Sequence, residues 1–339
     1  MSNITLLIFI VLGLFILLVI LPMIPTLLAI YKKEDVEPLA VDFGYTQNPR
    51  FLAEKFEENF EPNKDDFFTT IDVQKDLTAS LVEQNKGKEF IFYSEEDIYV
   101  RDAFSYPVHV VSDRNIEVDK ASTFYALKAK GNISLHADAK VLRWMDATNR
   151  IEIKNNSKVN IATAKEILLY PGTEYKKLYG SSWIKVFSLE NKEEFETEYT
   201  EHYEKTEEDI DKETLYIEEK SYHIDNESRI YQDIIGKGDI HIGSGCKIFG
   251  TIKANNSLHV AKGTIIYGDL FSVKDIVIEE DCVVLGNIFS HTYVTVGKNT
   301  QVGQPKYHHK SLIATKGITL FQGVVVHNYI LTYGEGKVL

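Results

Sequence analysis

Cysteine is nearly absent: Cys246 and Cys282 are the only two in 339 residues. They share one column of the repeat described below, two coils apart, or roughly 9.6 Å at strand spacing. That is too far for a disulfide. Both therefore read as small core residues in a reducing compartment. Positive charge is also short, with a formal net charge of −13. A nucleic-acid partner is excluded, because neutralising phosphates needs a basic face. Much of the excess lies in one place. Glu190 to Lys220 holds 14 acidic residues against 4 lysines, and the remainder of the chain is nearly neutral. A run this charged reads as a solvated linker or an insertion between repeat blocks, although Phe195, Tyr199 and Tyr203 at i, i+4, i+8 permit an exposed helix.

Recognised chemical motifs are missing as well. Gly236-Lys237-Gly238 and Gly243-Ser244-Gly245 lack the spacing of a phosphate-binding loop and the helix that should follow. There is no nucleophile elbow. No Cys, Asp or Glu cluster completes a zinc-like shell around the periodic histidines His223, His241, His259 and His291, His309, His327. These read as outward polar ladders, and catalytic residues, cofactors and metals are expected to be none.

What the chain does have is a period of 18 residues from Tyr222 to Leu339. Ile240, Leu258, Ile276, Val294, Leu312 and Ile330 form one column. A second runs Ile230, Ile248, Ile266, Val284, Val302, Leu320, Val338. A third runs Ile234, Ile252, Leu270, Ile288, Lys306, Val324, with Lys306 as its exception. Within each unit the apolar residues alternate, the mark of strands with one buried face. Three short strands per unit make a triangular coil, and coils stacked in register make an all-β solenoid. Corner positions Glu227, Gly245, Gly263, Asp281, Asn299 and Gly317 carry types that tolerate positive φ. A fainter repeat marks Asp97 to Ile167, where Ile98, Ile116, Ile133 and Ile151 are spaced 18, 17 and 18. It fades after Tyr170-Pro171-Gly172.

Near the start, Ile4 to Ile30 is apolar and, at about 1.5 Å per residue, long enough to cross a bilayer. Lys32 and Lys33 follow it. They predict a single-pass transmembrane helix at the cell membrane with the bulk of the protein in the cytoplasm. Asn48, Pro49 and Pro62 frame a short helix with Asn48 as N-cap. Leu52, Phe56 and Phe60 give it a narrow apolar stripe, expected to cover the open end of the solenoid. The expected divisions are an anchor over 1–31, a juxtamembrane region over 32–96, a first solenoid block over 97–172, an acidic linker over 173–221 and a second block over 222–339.

The columns from Gly238 to Leu339 carry a family resemblance. Ile248-Phe249-Gly250-Thr251-Ile252, Ile266-Tyr267-Gly268-Asp269-Leu270 and Val284-Leu285-Gly286-Asn287-Ile288 resemble the bactofilins, polymer-forming cytoskeletal proteins of bacteria. The resemblance implies a right-handed β-helix that polymerises end to end into nucleotide-free, membrane-associated filaments. Its partners would be further copies of itself and the lipid bilayer, and it would recruit or position cell-envelope or division proteins. The final coil breaks off at Lys337-Val338-Leu339 without a polar cap. Leu312, Leu320, Phe321, Val324, Ile330 and Leu331 are thus expected to line a self-assembly interface. The competing reading is a trimeric acyltransferase, because Ile242-Gly243-Ser244-Gly245-Cys246-Lys247-Ile248 also resembles the hexapeptide of left-handed acyltransferase solenoids. Its base would be His308 or His309 in Gly303 to Lys310. The uninterrupted columns, with no long loop insertion, speak against it. A third reading is a passive, membrane-tethered scaffold that stays monomeric.

Overall fold

The structure is a computed structural model. It describes residues 11–15, 17, 18, 21, 48–60, 69–87, 90–136, 138–154, 156–187, 214–305 and 310–339. Two compact units are present, Met1–Asn48 and Pro49–Leu339. In the first, the described residues 11–15 are helical. No helix among the described residues is long and apolar enough to cross a membrane, whereas a span needs about 20 consecutive apolar residues. The expected transmembrane anchor and the single-pass, cytoplasm-facing placement built on it are therefore corrected. The rest of Ile4–Ile30, together with Lys32 and Lys33, lies outside the described residues.

The second unit is a β-solenoid of about 13 turns. Its first block runs from Thr69–Asp72 to a closing strand, Glu174–Val186, and so extends past 97–172 on both sides. The second block runs from Leu215–Ile217 to its own closing strand, Val325–Val338. Strands pair in parallel with the equivalent strand one coil on. Ile98, Ile116, Ile133 and Ile151 form one paired column, and Ile240, Leu258, Ile276 and Val294 another. Column residues such as Ile240, Leu258, Ile276 and Val294 are fully buried. No single coil buries its own apolar face, so stacking supplies the core.

Three faces run through both blocks. Face 1 includes residues 177–180 and 328–331, face 2 includes 184–185 and 325–326, and face 3 includes 174–175 and 336–337. On these faces the closing strands pair antiparallel, Leu178 with Ile330, Ile184 with Val326 and Tyr175 with Gly336. The two blocks therefore meet end to end at their last coils. The first winds in the order 1, 2, 3 toward the junction, and the second in the order 1, 3, 2 toward the junction from the other side. Reversing both the winding sense and the direction of travel preserves hand, so the blocks share one handedness.

One coil of the second block is longer than the rest. Ile288 pairs with Leu312, Val294 with Ile318 and Val302 with Val326, each 24 residues on. Six residues, one side of the triangle, are inserted near Gly303–Lys310. The apolar alternation stays in phase while every column moves round by one face. This corrects the expected columns after Val302: Leu312 continues Ile288, not Val294. Lys306 belongs to the inserted stretch and lies outside the described residues. The columns are thus interrupted once, by six residues. The corner column confirms the shift. Glu227, Gly245, Gly263, Asp281 and Asn299 have φ between 54° and 68°, and the next positive φ in the series is at Gly323 rather than Gly317. The Gly250, Gly268 and Gly286 column has a different cause. An added Cβ there would lie 2.0–2.2 Å from the backbone oxygen of the preceding coil.

Two short helices pack on the first block. Helix Ala79–Gln84, capped by the Thr78 side chain at Leu81 N (3.3 Å), follows Asp76–Leu77 in the first coil and buries Val82 in the same core as Leu77. Helix Phe51–Asn59 begins after Arg50 rather than at Asn48-Pro49. It packs on the flank of the block, not over its open end. Phe56 stacks on Phe60 and meets Trp144 edge-on, while Phe60 meets Tyr93.

Candidate functional site

The six residues expected to form an exposed assembly surface are at the junction. Leu312, Leu320, Val324 and Ile330 are fully buried, while Phe321 and Leu331 are half-buried. Ile330 and Leu331 pair with Leu178 and Lys177, and Val186 N donates to Val324 O at 2.8 Å. This surface is occupied by the same chain. The capping strand was hidden because Glu174–Val186 ends the first block's register. The alternation of buried Leu178 with Gly180 and of Ile184 with Val186 was the available signal.

The uncovered end is the opposite one. Leu215–Ile217, Ser221–Ile224 and Arg229–Ile230 form an edge coil whose strands, among the described residues, pair only with the coil that follows. Its column residues are less protected than those one coil in. Leu215, Tyr222 and Ile230 are half-buried, whereas Ile234, Ile240 and Ile248 are fully buried. Tyr216 is 69% exposed. Unpaired backbone donors and acceptors beside partly exposed apolar residues form a pairing template.

Beside this end stands the first histidine ladder. His223 and His241 stack at 4.5 Å and 11°, and His259 follows at 6.0 Å. Burial, then the neighbouring imidazoles His223 and His259, lower the pKa of His241 against the opposing pull of Asp239. His259 Nε2 lies 3.2 Å from Glu279. Imidazole lone pairs lie in the ring plane, so rings stacked face to face do not converge on one ion. The second set does not form a ladder around His327, whose Nδ1 lies 3.1 Å from Ser182 O on the closing strand of the first block. His308 and His309 lie outside the described residues. Among the described residues, one group has donor atoms close enough to hold a metal: Glu117, Asp119 and His136. Arg101 already binds Asp119 at 2.8 Å.

Cys246 and Cys282 are free and buried, as their column spacing requires. Burial pushes the Cys282 thiol up to about 11, which keeps it in the unreactive thiol form. No family model, curated protein or solved structure matches the chain.

Proposed function

We propose that the chain is a non-catalytic scaffold that associates with further copies of itself through the edge coil Leu215–Ile230. The observation that carries this reading is the one-sided pairing of that coil with Leu215, Tyr216, Tyr222 and Ile230 partly exposed. At the opposite end of the stack Thr69–Asp72 and Asp76–Leu77 also pair only with the coil that follows among the described residues, but helix Ala79–Gln84 packs Val82 into the core there and Leu77 is fully buried, and the junction is closed internally. Two identical edges of one hand brought end to end run antiparallel, the arrangement already made by the two closing strands. Self-association at a solenoid end is also what the bactofilin resemblance implies.

Hydrogen exchange over a concentration series tests the reading. Amides of 215–217, 221–224 and 229–230 become slower to exchange as concentration rises, and Ile230→Lys abolishes that dependence while leaving the coils beyond Ile248 protected. Fast exchange at the edge coil at every concentration would remove the proposal. A second reading, a hexapeptide-type acyltransferase, is favoured by the six-residue enlargement of the coil containing His308 and His309. It requires a three-copy assembly that Ile230→Lys leaves intact.

A further inference from the structure

The first block carries a cavity that self-association at the edge coil does not use. It holds about 500 Å³, within the range of roughly 300–1,000 Å³ of small-molecule sites. Helix Phe51–Asn59 contributes Leu52 and Phe56 to its lining, and helix Ala79–Gln84 contributes Val82. The Arg50–Asp146 pair pins the first of these helices beside the site. Much of the remaining lining comes from the corner where face 3 passes into face 1.

That corner is irregular in three successive coils. Three residues separate Phe104 from Val108, whereas one separates their partners Ser122 and Phe124. Tyr125 is extra against the adjacent pair Val108 and His109. Leu142 and Arg143 together stand opposite Tyr125 alone on one side and Asn160 alone on the other. Bulges of this kind re-aim side chains and gather beside functional sites. Here the displaced Tyr106, Pro107, Tyr125 and Arg143 all line the cavity.

The chemistry of the lining selects a ligand. Phe56, Tyr106, Tyr125 and Trp144 give it aromatic walls. His109 stacks on Tyr125 at 5.3 Å, and the Arg143 guanidinium lies 5.0 Å from the centre of the same ring. Stacking occupies the flat face of a guanidinium, while the N–H donors along its edge stay available to a carboxylate. Among the described residues Arg143 has no carboxylate partner, and no Asp or Glu lines the cavity. A buried apolar body and one anionic group fit this arrangement.

We propose that the cavity binds a small aromatic carboxylate, with its ring among Phe56, Tyr106 and Trp144 and its carboxylate on the edge of Arg143. The site is complete in one copy of the chain and is separate from the edge coil.

The chain has two tryptophans, which supply the readout and its control. Trp144 lines the cavity, and Trp183 lies on the closing strand Glu174–Val186. Fluorine NMR of the full chain labelled with fluorotryptophan, assigned through Trp183→Phe, is followed during titration with naphthylacetate and with its uncharged amide. The Trp144 resonance is expected to shift saturably while that of Trp183 stays fixed. The amide is expected to bind at least about tenfold more weakly, the worth of one hydrogen bond to a charged group. Arg143→Gln should bring acid and amide to nearly equal affinity, with an unchanged Trp183 resonance reporting an intact fold. The site is overturned by a Trp144 resonance that does not move, by equal shifts of both tryptophans, or by an amide that binds as tightly as the acid. An Arg143→Gln chain that keeps the full preference for the acid would overturn it as well.

Discussion

Asp146 carries a charge at a place water hardly reaches, being 1% exposed on the flank of the first block. Arg50 grips it with two hydrogen bonds of 3.0 and 2.8 Å, Lys128 Nζ approaches at 3.1 Å and Thr163 donates a further bond. Glu57 on helix Phe51–Asn59 completes the network through Lys128 and Arg50. Burial pushes the Asp146 carboxyl up, but Arg50, Lys128 and Thr163 together outweigh it and hold the pKa below its ordinary value. A lowered folded pKa means stability that is fully present above the unfolded value of about 3.9 and lost as pH falls through the folded one. Docking of the helix should therefore weaken in acid below about pH 4. Asp146→Asn removes the buried carboxylate shared by Arg50 and Lys128, leaving both cations only Glu57 in this network, and should lower stability by about 3 kcal/mol in urea unfolding. A loss under about 0.5 kcal/mol, the size of an ordinary surface change, would show that the network is solvated.

Tyr175 makes the opposite case at the junction. Its hydroxyl is buried with no hydrogen-bond partner among the described residues, and its ring lies where a Cβ on Gly336 would fall at 2.2 Å. An unsatisfied buried hydroxyl costs about 1–3 kcal/mol. Tyr175→Phe should thus leave stability unchanged or raise it by about 1 kcal/mol, whereas Gly336→Ala should loosen the closing strands. A clear loss on Tyr175→Phe would reveal a partner for the hydroxyl.

Among the elements, the enlarged coil explains why the sequence was legible in its core yet misleading in its connections. Inserting six residues keeps every apolar residue pointing inward, so Leu312, Leu320 and Ile330 were placed correctly in the core and wrongly in their columns. A repeat read by phase alone is blind to a shift of one full face. Helix Phe51–Asn59 was legible as an element, but its site was not. The partners that place it, Asp146 and Trp144 on Lys140–Ala147 and Tyr93 on Phe90–Ser94, come from two distant strands, and no local pattern announces them. The closing strand Glu174–Val186 escaped for a related reason. Its antiparallel partner is about 150 residues away and asks only for alternation, not for a period. Deleting Gln304–His309 would restore an 18-residue coil. Because the phase is kept and solenoid loops tolerate length changes, the deletion variant should keep its strand content by circular dichroism and its self-association. Loss of the fold would mean that the inserted residues are structural.

For the second unit as a whole, two blocks of one hand run toward each other and meet at their last coils, so the closing strands Glu174–Val186 and Val325–Val338 seal one another. The sequence suggested that the final coil was open; pairing with Glu174–Val186 closes it. The edge proposed for self-association is the first coil of the second block, where the identical edge of another copy would meet it in the antiparallel geometry of the junction. Sedimentation equilibrium of the wild-type chain and of Ile230→Lys tests this most directly. The account predicts reversible two-copy association in the wild type and a single-copy species in the variant at every concentration. A wild-type chain that stays single-copy throughout, or a three-copy assembly that the variant leaves unchanged, would contradict it.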